Sequence, residues 1–146
     1  MLKSCLTGGT LVFDMSDRVT SNDEAYAVTT RGGDVSACAR SIVHLMNGRA
    51  QPAAGAPAND DLIRYGQEVR VQSNDFICNK SLYLSSQPIS PLAFARFSRN
   101  QEVSLLNKST YNTVWKIWPV GIGRGAKLGQ PVLATDKVSF EHCATT

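Results

Sequence analysis

The side chains best suited to metal binding or nucleophilic catalysis in this 146-residue chain are two histidines and four cysteines. They are His44, His142, Cys5, Cys38, Cys78 and Cys143. Zinc takes Cys and His at short spacings such as Cys-x₂₋₄-Cys, and only His142 and Cys143 stand close together. Neighbours on a strand point to opposite faces, so one metal would not reach both without distortion. A Cys–His nucleophile pair needs one cysteine selected by its surroundings, and no feature of the sequence selects one. Asp60-Asp61 and Asp23-Glu24 read as solvated turn residues, not as the paired carboxylates of a hydrolase. The expectation is a protein that is not an enzyme, with no metal and no cofactor.

Gly121-Ile122-Gly123-Arg124-Gly125-Ala126-Lys127 invites a phosphate-loop reading, but no Gly-Lys-Ser/Thr follows and the G-x-G-x-x-G order is absent. It reads as a flexible connection from whose tip Arg124 and Lys127 reach toward a partner's carboxylates. Pro91 to Arg99 reads as an edge strand with outward cations. If extended, it sets Leu92, Phe94, Arg96 and Ser98 on one face, with Phe97 and Arg99 on the other. Its functional reading is a partner-facing patch through Arg96 and Arg99. Trp115 and Trp118, three apart, face opposite sides of a strand. One belongs in the core; the other suits a contact surface, where a tryptophan often contributes about 2 kcal/mol or more. Trp118 joins Arg96, Arg99, Arg124 and Lys127 as a candidate partner contact.

Composition narrows the classes further. A net charge of +3, with no run of three basic residues, argues against a nucleic-acid partner. No apolar run approaches the ~18–20 residues that cross a bilayer, so a membrane is not expected as a partner. The segment from Met1 to Gly9 is too short and polar for a signal peptide, which predicts a reducing, intracellular compartment. Free thiols are then expected rather than two disulfides. Asn79-Lys80-Ser81 and Asn107-Lys108-Ser109 match the glycosylation acceptor pattern but read as turns.

These residues must be held by strands. Four short segments rich in β-branched and aromatic residues run over 65–71, 81–86, 101–107 and 113–118, each bounded by Gly, Pro, Asn or Ser. Weaker patterns cover Leu6 to Met15 (broken by Gly8-Gly9), Ala25 to Thr30 and Ala39 to Met46; a short helix over 35–46 is the alternative for the third. The polar stretch 16–24 predicts a loop or one helical turn, with Ser21 or Asn22 as cap. Residues 47–60 form an Ala/Pro/Gly-rich flexible insertion that cannot repay its ordering by burial. Pro88 and Pro91 keep 87–91 out of any central strand. Asp136 to Cys143 resembles the strand at 65–71.

That makes about eight strands in a single all-β domain over 1–146, with long irregular loops. A four-stranded unit ending near a tryptophan is the building block of a β-trefoil, a fold that usually carries binding. A closed trefoil takes about twelve strands, so the expected fold is an incomplete trefoil, its open edges covered by further chain or a neighbour.

Leu62-Ile63-Arg64-Tyr65-Gly66-Gln67-Glu68 followed by Asn79-Lys80-Ser81-Leu82-Tyr83-Leu84-Ser85-Ser86 resembles the cilia- and flagella-associated protein 161 family. The likeness continues less tightly through Glu102-Val103, Gly129-Gln130-Pro131-Val132 and His142-Cys143; upstream, Arg40-Ser41-Ile42-Val43 aligns, and 1–34 carries little. It implies a MIR-like β-trefoil protein of motile cilia and flagella. Such a protein is fixed to the luminal wall of the axonemal doublet microtubule, where its partners are tubulin and other microtubule inner proteins. The resemblance also implies that members are longer and continue beyond the His-Cys pair. The competing expectation is a ligand-binding trefoil recognising a glycan or an inositol phosphate. It is weaker, because no loop gathers several cations, nor the aromatic and carboxylate that sugar sites use.

Overall fold

The computed structural model describes residues 1–19, 24–48, 61–76 and 80–146. Eight strands form one antiparallel sheet: β1 (Thr10–Arg18), β2 (Tyr26–Arg31), β3 (Val43–Asn47), β4 (Glu68–Ser73), β5 (Tyr83–Ser86), β6 (Val103–Leu106), β7 (Trp115–Pro119) and β8 (Val138–His142). Two short 3-10 turns, Tyr111–Thr113 and Arg124–Lys127, flank β7. The order across the sheet is β1-β2-β6-β5-β4-β7-β8, with β3 also paired to β4. Each of the eight expected segments overlaps one of these strands.

β4 is the hub. One edge takes β3 along its length, from Asn47 opposite Val69 to Val43 opposite Ser73. The other edge is divided: β7 meets it at Glu68 and Val69, and β5 at Gln72. The sequence makes this possible by alternation, since Val69, Val71 and Ser73 are buried while Glu68, Arg70 and Gln72 are half-buried. β7 repeats the pattern with Trp115, Ile117 and Pro119 inward. Val69, Val71, Trp115 and Ile117 join Phe13, Leu82, Leu84 and Leu105 in a single buried cluster. Fully burying one such aliphatic side chain contributes about 2 kcal/mol. A ring of half-buried apolar residues packs on it, including Val43, Leu45, Ile63, Val138 and Phe140.

Several boundaries differ from expectation for local reasons. Residues 5–7 form a turn closed by Gly8 N–H to the Ser4 carbonyl, so β1 begins only at Thr10. It then runs through Ser16 and Asp17, expected as loop, because an irregularity between Phe13 and Arg18 lets the strand keep pairing with β2. The region 35–46 is neither a helix nor one long strand. The Ser41 hydroxyl accepts from the Cys38 N–H and the chain turns there before β3 starts at Val43. Pro91 to Arg99 is not an edge strand. Ser90 and Ala93 exchange backbone bonds at 3.1 Å, and Ala95 N–H to Asn100 O with Arg99 N–H to Ala95 O, both 2.8 Å, fold the rest into a second turn. Residues 49–60 of the expected insertion, the caps Ser21 and Asn22, Cys78 and Asn79 lie outside the described residues.

Candidate functional site

The stretches that carry the family resemblance lie against one another. Arg64 to Gln67 is held between β7 and the segment 129–132. Gly66 N–H donates to the Ile117 carbonyl at 2.8 Å, Tyr65 N–H to Gln130 O at 3.0 Å, and Gly129 N–H to Tyr65 O at 3.0 Å. Val132 N–H reaches the Ile63 carbonyl at 2.8 Å, and Arg64 Nη1 donates to Gly129 O at 3.0 Å. Gly66 adopts φ 81, where an L side chain is strained, and a Cβ there would run into Leu128 Cδ1 and lie 3.4 Å from Trp118 Cζ3. Only glycine lets the indole and the strap pass this close.

Over this junction the connection 121–129 folds back, and each of its two cations finds a carboxylate and an aromatic ring. Arg124 Nη1 meets Glu141 Oε1 at 2.8 Å, with its guanidinium 5.2 Å from the Trp118 ring centre. Trp118 Nε1 donates to the other oxygen, Glu141 Oε2, at 2.6 Å. Lys127 Nζ stands 3.8 Å from Asp136 Oδ1 and 5.5 Å from the Tyr65 ring. The Tyr65 hydroxyl donates to Asp136 Oδ2 at 2.8 Å. The Trp118 indole, then Arg124, hold the Glu141 carboxyl below its ordinary range. The Leu133 N–H, then the Tyr65 hydroxyl and Lys127, do the same for Asp136. Burial, reinforced by Asp136, pushes the Tyr65 phenol up.

The candidate contacts therefore fall into two groups. Arg124, Lys127 and Trp118 are brought together, with the two cations paired inside the chain. Arg96 and Arg99 lie in the 88–100 loop, stacked on Phe97 at 5.6 Å and on Phe94 at 5.8 Å. Glu141, Asp136 and Tyr65 complete the first group, and no local signal marks them, because their partners lie up to 71 residues away. The two tryptophans also separate: Trp115 is buried, its Nε1 donating to Leu84 O at 2.9 Å, and Trp118 is half-buried.

His142 is buried and engaged at both ring nitrogens. Nε2 lies 2.9 Å from the Asn112 carbonyl, which fixes the proton there. Nδ1 accepts from Thr145 Oγ1 at 2.9 Å and Gln101 Nε2 at 3.3 Å. Asn112 O also accepts from Ser85 at 3.1 Å, and Gln101 donates to Ser86 at 2.7 Å. The two serines closing Leu82 to Ser86 are thus bonded into the same cluster as the histidine. Both ring nitrogens are thus engaged in orienting the segments of Gln101, Asn112 and Thr145. His44 is exposed on β3. Cys38 is an exposed thiol held below its usual range by the Ser41 hydroxyl, then by the Arg40 and Ser41 N–H groups. Among the described residues, no three His, Cys, Asp or Glu side chains gather as metal ligands would.

One surface cleft of about 330 Å³ is lined by Asp17, Arg18, Val19, Ala27, Arg96, Phe97 and Glu102. No helix among the described residues is long and apolar enough to cross a membrane. No protein-family model matches the chain, and no curated protein matches its sequence.

Proposed function

We propose that this chain is a MIR-like β-trefoil lobe of a structural protein of motile cilia and flagella. In this reading it is fixed to the luminal wall of the axonemal doublet microtubule, bound to tubulin and neighbouring inner proteins, and performs no catalysis. The observation that carries the proposal is the mutual contact of the resembling segments. Arg64 to Gln67 bonds to Gly129 to Val132, and Ser85 and Ser86 share partners with His142. Segments far apart in sequence thus meet in two hydrogen-bonded clusters, one around Tyr65 and one around His142. The strand pairing also supports the trefoil reading. Within 65–120, first strand β4 pairs with fourth strand β7, while β5 and β6, which come between them in sequence, pair with each other; β3–β4, β2–β6 and β7–β8 link this unit to its neighbours.

The mechanism is static. Many modest contacts to a polymer with repeating sites add through avidity, so no single contact needs to be strong. The test is co-sedimentation of the tagged protein with ciliary doublets. It is expected to stay with the tubules through a salt wash; ready extraction by mild salt with the tubules intact would sink the proposal.

The cleft beside Phe97 favours one alternative, a trefoil that recognises a glycan. Asp17 and Glu102 beside an aromatic ring supply the carboxylates and face that a sugar uses, while the same carboxylates oppose an inositol phosphate. A rise in melting temperature with one member of a glycan panel would favour it.

A further inference from the structure

We infer that the double turn formed by residues 89–99 is a docking knuckle for an acidic polypeptide surface with an apolar recess. This deepens the partner-binding reading above and rests on it, but names the residues that make the contact. Of the four cations expected to face a partner, Arg124 and Lys127 already have carboxylates at 2.8 and 3.8 Å. Arg96 and Arg99 have none among the described residues; each instead covers a phenylalanine ring. The same short loop holds the most exposed run of large apolar side chains that follow one another in sequence: Ile89 at 60%, Leu92 at 84% and Phe97 at 94%.

Exposed apolar side chains beside charges without carboxylate partners are the composition of an interface centre, where aromatic residues and arginine are enriched. The loop is also built to present them. Its two turns are closed by backbone bonds of 2.8 to 3.1 Å, and Ala93 is buried between them as an anchor. Arg99 sits at φ 57, a left-handed conformation that completes the second turn. These bonds restrain the backbone of the loop, which lowers the ordering cost a partner would have to meet. A guanidinium offers a planar fork of donors matched to carboxylates, so the complementary surface is acidic. Phe97 borders the cleft described above, where Asp17 and Glu102 disfavour a partner carboxylate and leave room for an uncharged side chain.

The experiment compares the full chain with Arg96→Glu/Arg99→Glu, with Leu92→Ser/Phe97→Ser, and with the charge-matched control Lys3→Glu/Lys137→Glu. All six positions are exposed, and equal melting temperatures would establish that each variant folds. Binding is read on isolated ciliary doublets, on an immobilised glutamate–tyrosine copolymer, and on phosphatidylserine vesicles. Both knuckle variants are expected to bind doublets and copolymer at least about tenfold more weakly, with the control unchanged and binding falling steeply with salt. If the full chain and the knuckle variants bind doublets equally, the knuckle is overturned while the ciliary reading stands. If the full chain fails on doublets but the copolymer still separates the variants, the ciliary reading falls and the knuckle stands. Equal binding of all variants to the copolymer, or binding to vesicles alone, overturns the knuckle.

Discussion

The Tyr65 hydroxyl donates to Asp136 Oδ2 across 71 residues of sequence, and Lys127 Nζ stands 5.5 Å from the centre of the tyrosine ring. Tyr65 is buried and begins the approach to the hub strand, while Asp136 precedes the edge strand β8. One bond therefore ties the central unit to the last strand.

Tyr65→Phe keeps the ring and removes that donor. It is expected to cost about 1 kcal/mol in urea unfolding. Because the phenol is pushed up in the folded state, its contribution is complete below about pH 10 and is lost as pH rises through the folded value. The alkaline loss of stability is expected to shrink in the Phe variant. Identical curves from pH 8 to 11 would refute the assignment.

Glu141 and Asp136 predict the acid behaviour. Their folded-state carboxyls titrate below ordinary values, so their contribution is complete above about pH 4–5 and disappears as pH falls through the folded values. The Trp118 indole N–H, bonded to Glu141, should shift in proton NMR spectra as the pH is lowered there. The Trp115 indole N–H, bonded to the Leu84 carbonyl, should not. Two indole signals moving together would contradict this geometry.

His142→Ala removes a ring that packs on Trp115 at 4.7 Å and leaves Gln101 and Thr145 without their shared acceptor. The expected loss is about 2–4 kcal/mol. Thermal denaturation measures it, and a change within experimental error would mean the buried network carries little of the fold.

Gly48 closes β3 against the hub. A Cβ there would lie 2.8 Å from Glu68 C and 2.9 Å from Val69 N, both backbone atoms that cannot swing away. Gly48→Ala is expected to destabilise by about 1–3 kcal/mol. Gly32→Ala, where a Cβ meets nothing within 4 Å, is the neutral comparison. Equal melting temperatures for the two would count against the β3–β4 register.

Where a strand has neighbours, its local pattern sufficed. Val69 and Val71 on β4, and Trp115 and Ile117 on β7, alternate inward as their spacing predicts. The pattern failed at Pro91 to Arg99, where Leu92 and Phe94 also alternate. With Ser90–Ala93 and Ala95–Asn100 closed on themselves, that segment spends its backbone bonds in turns and joins no strand. The glycine-rich loop misled in the other direction. Arg124 and Lys127 were expected to reach outward, yet Glu141 and Asp136 draw them back, a contact that exists only once β8 has docked on β7.

Taken alone, the order of residues determined the all-β class, the eight strands and a net charge of +3, because alternation and turn chemistry act over a few neighbouring residues. Only the folded sheet decided which tryptophan is core, that His142 is held at both nitrogens, and that Arg96 and Arg99 meet phenylalanine rings rather than carboxylates among the described residues. Each of those facts depends on partners far apart along the chain, and pairing between strands is what sets such distances.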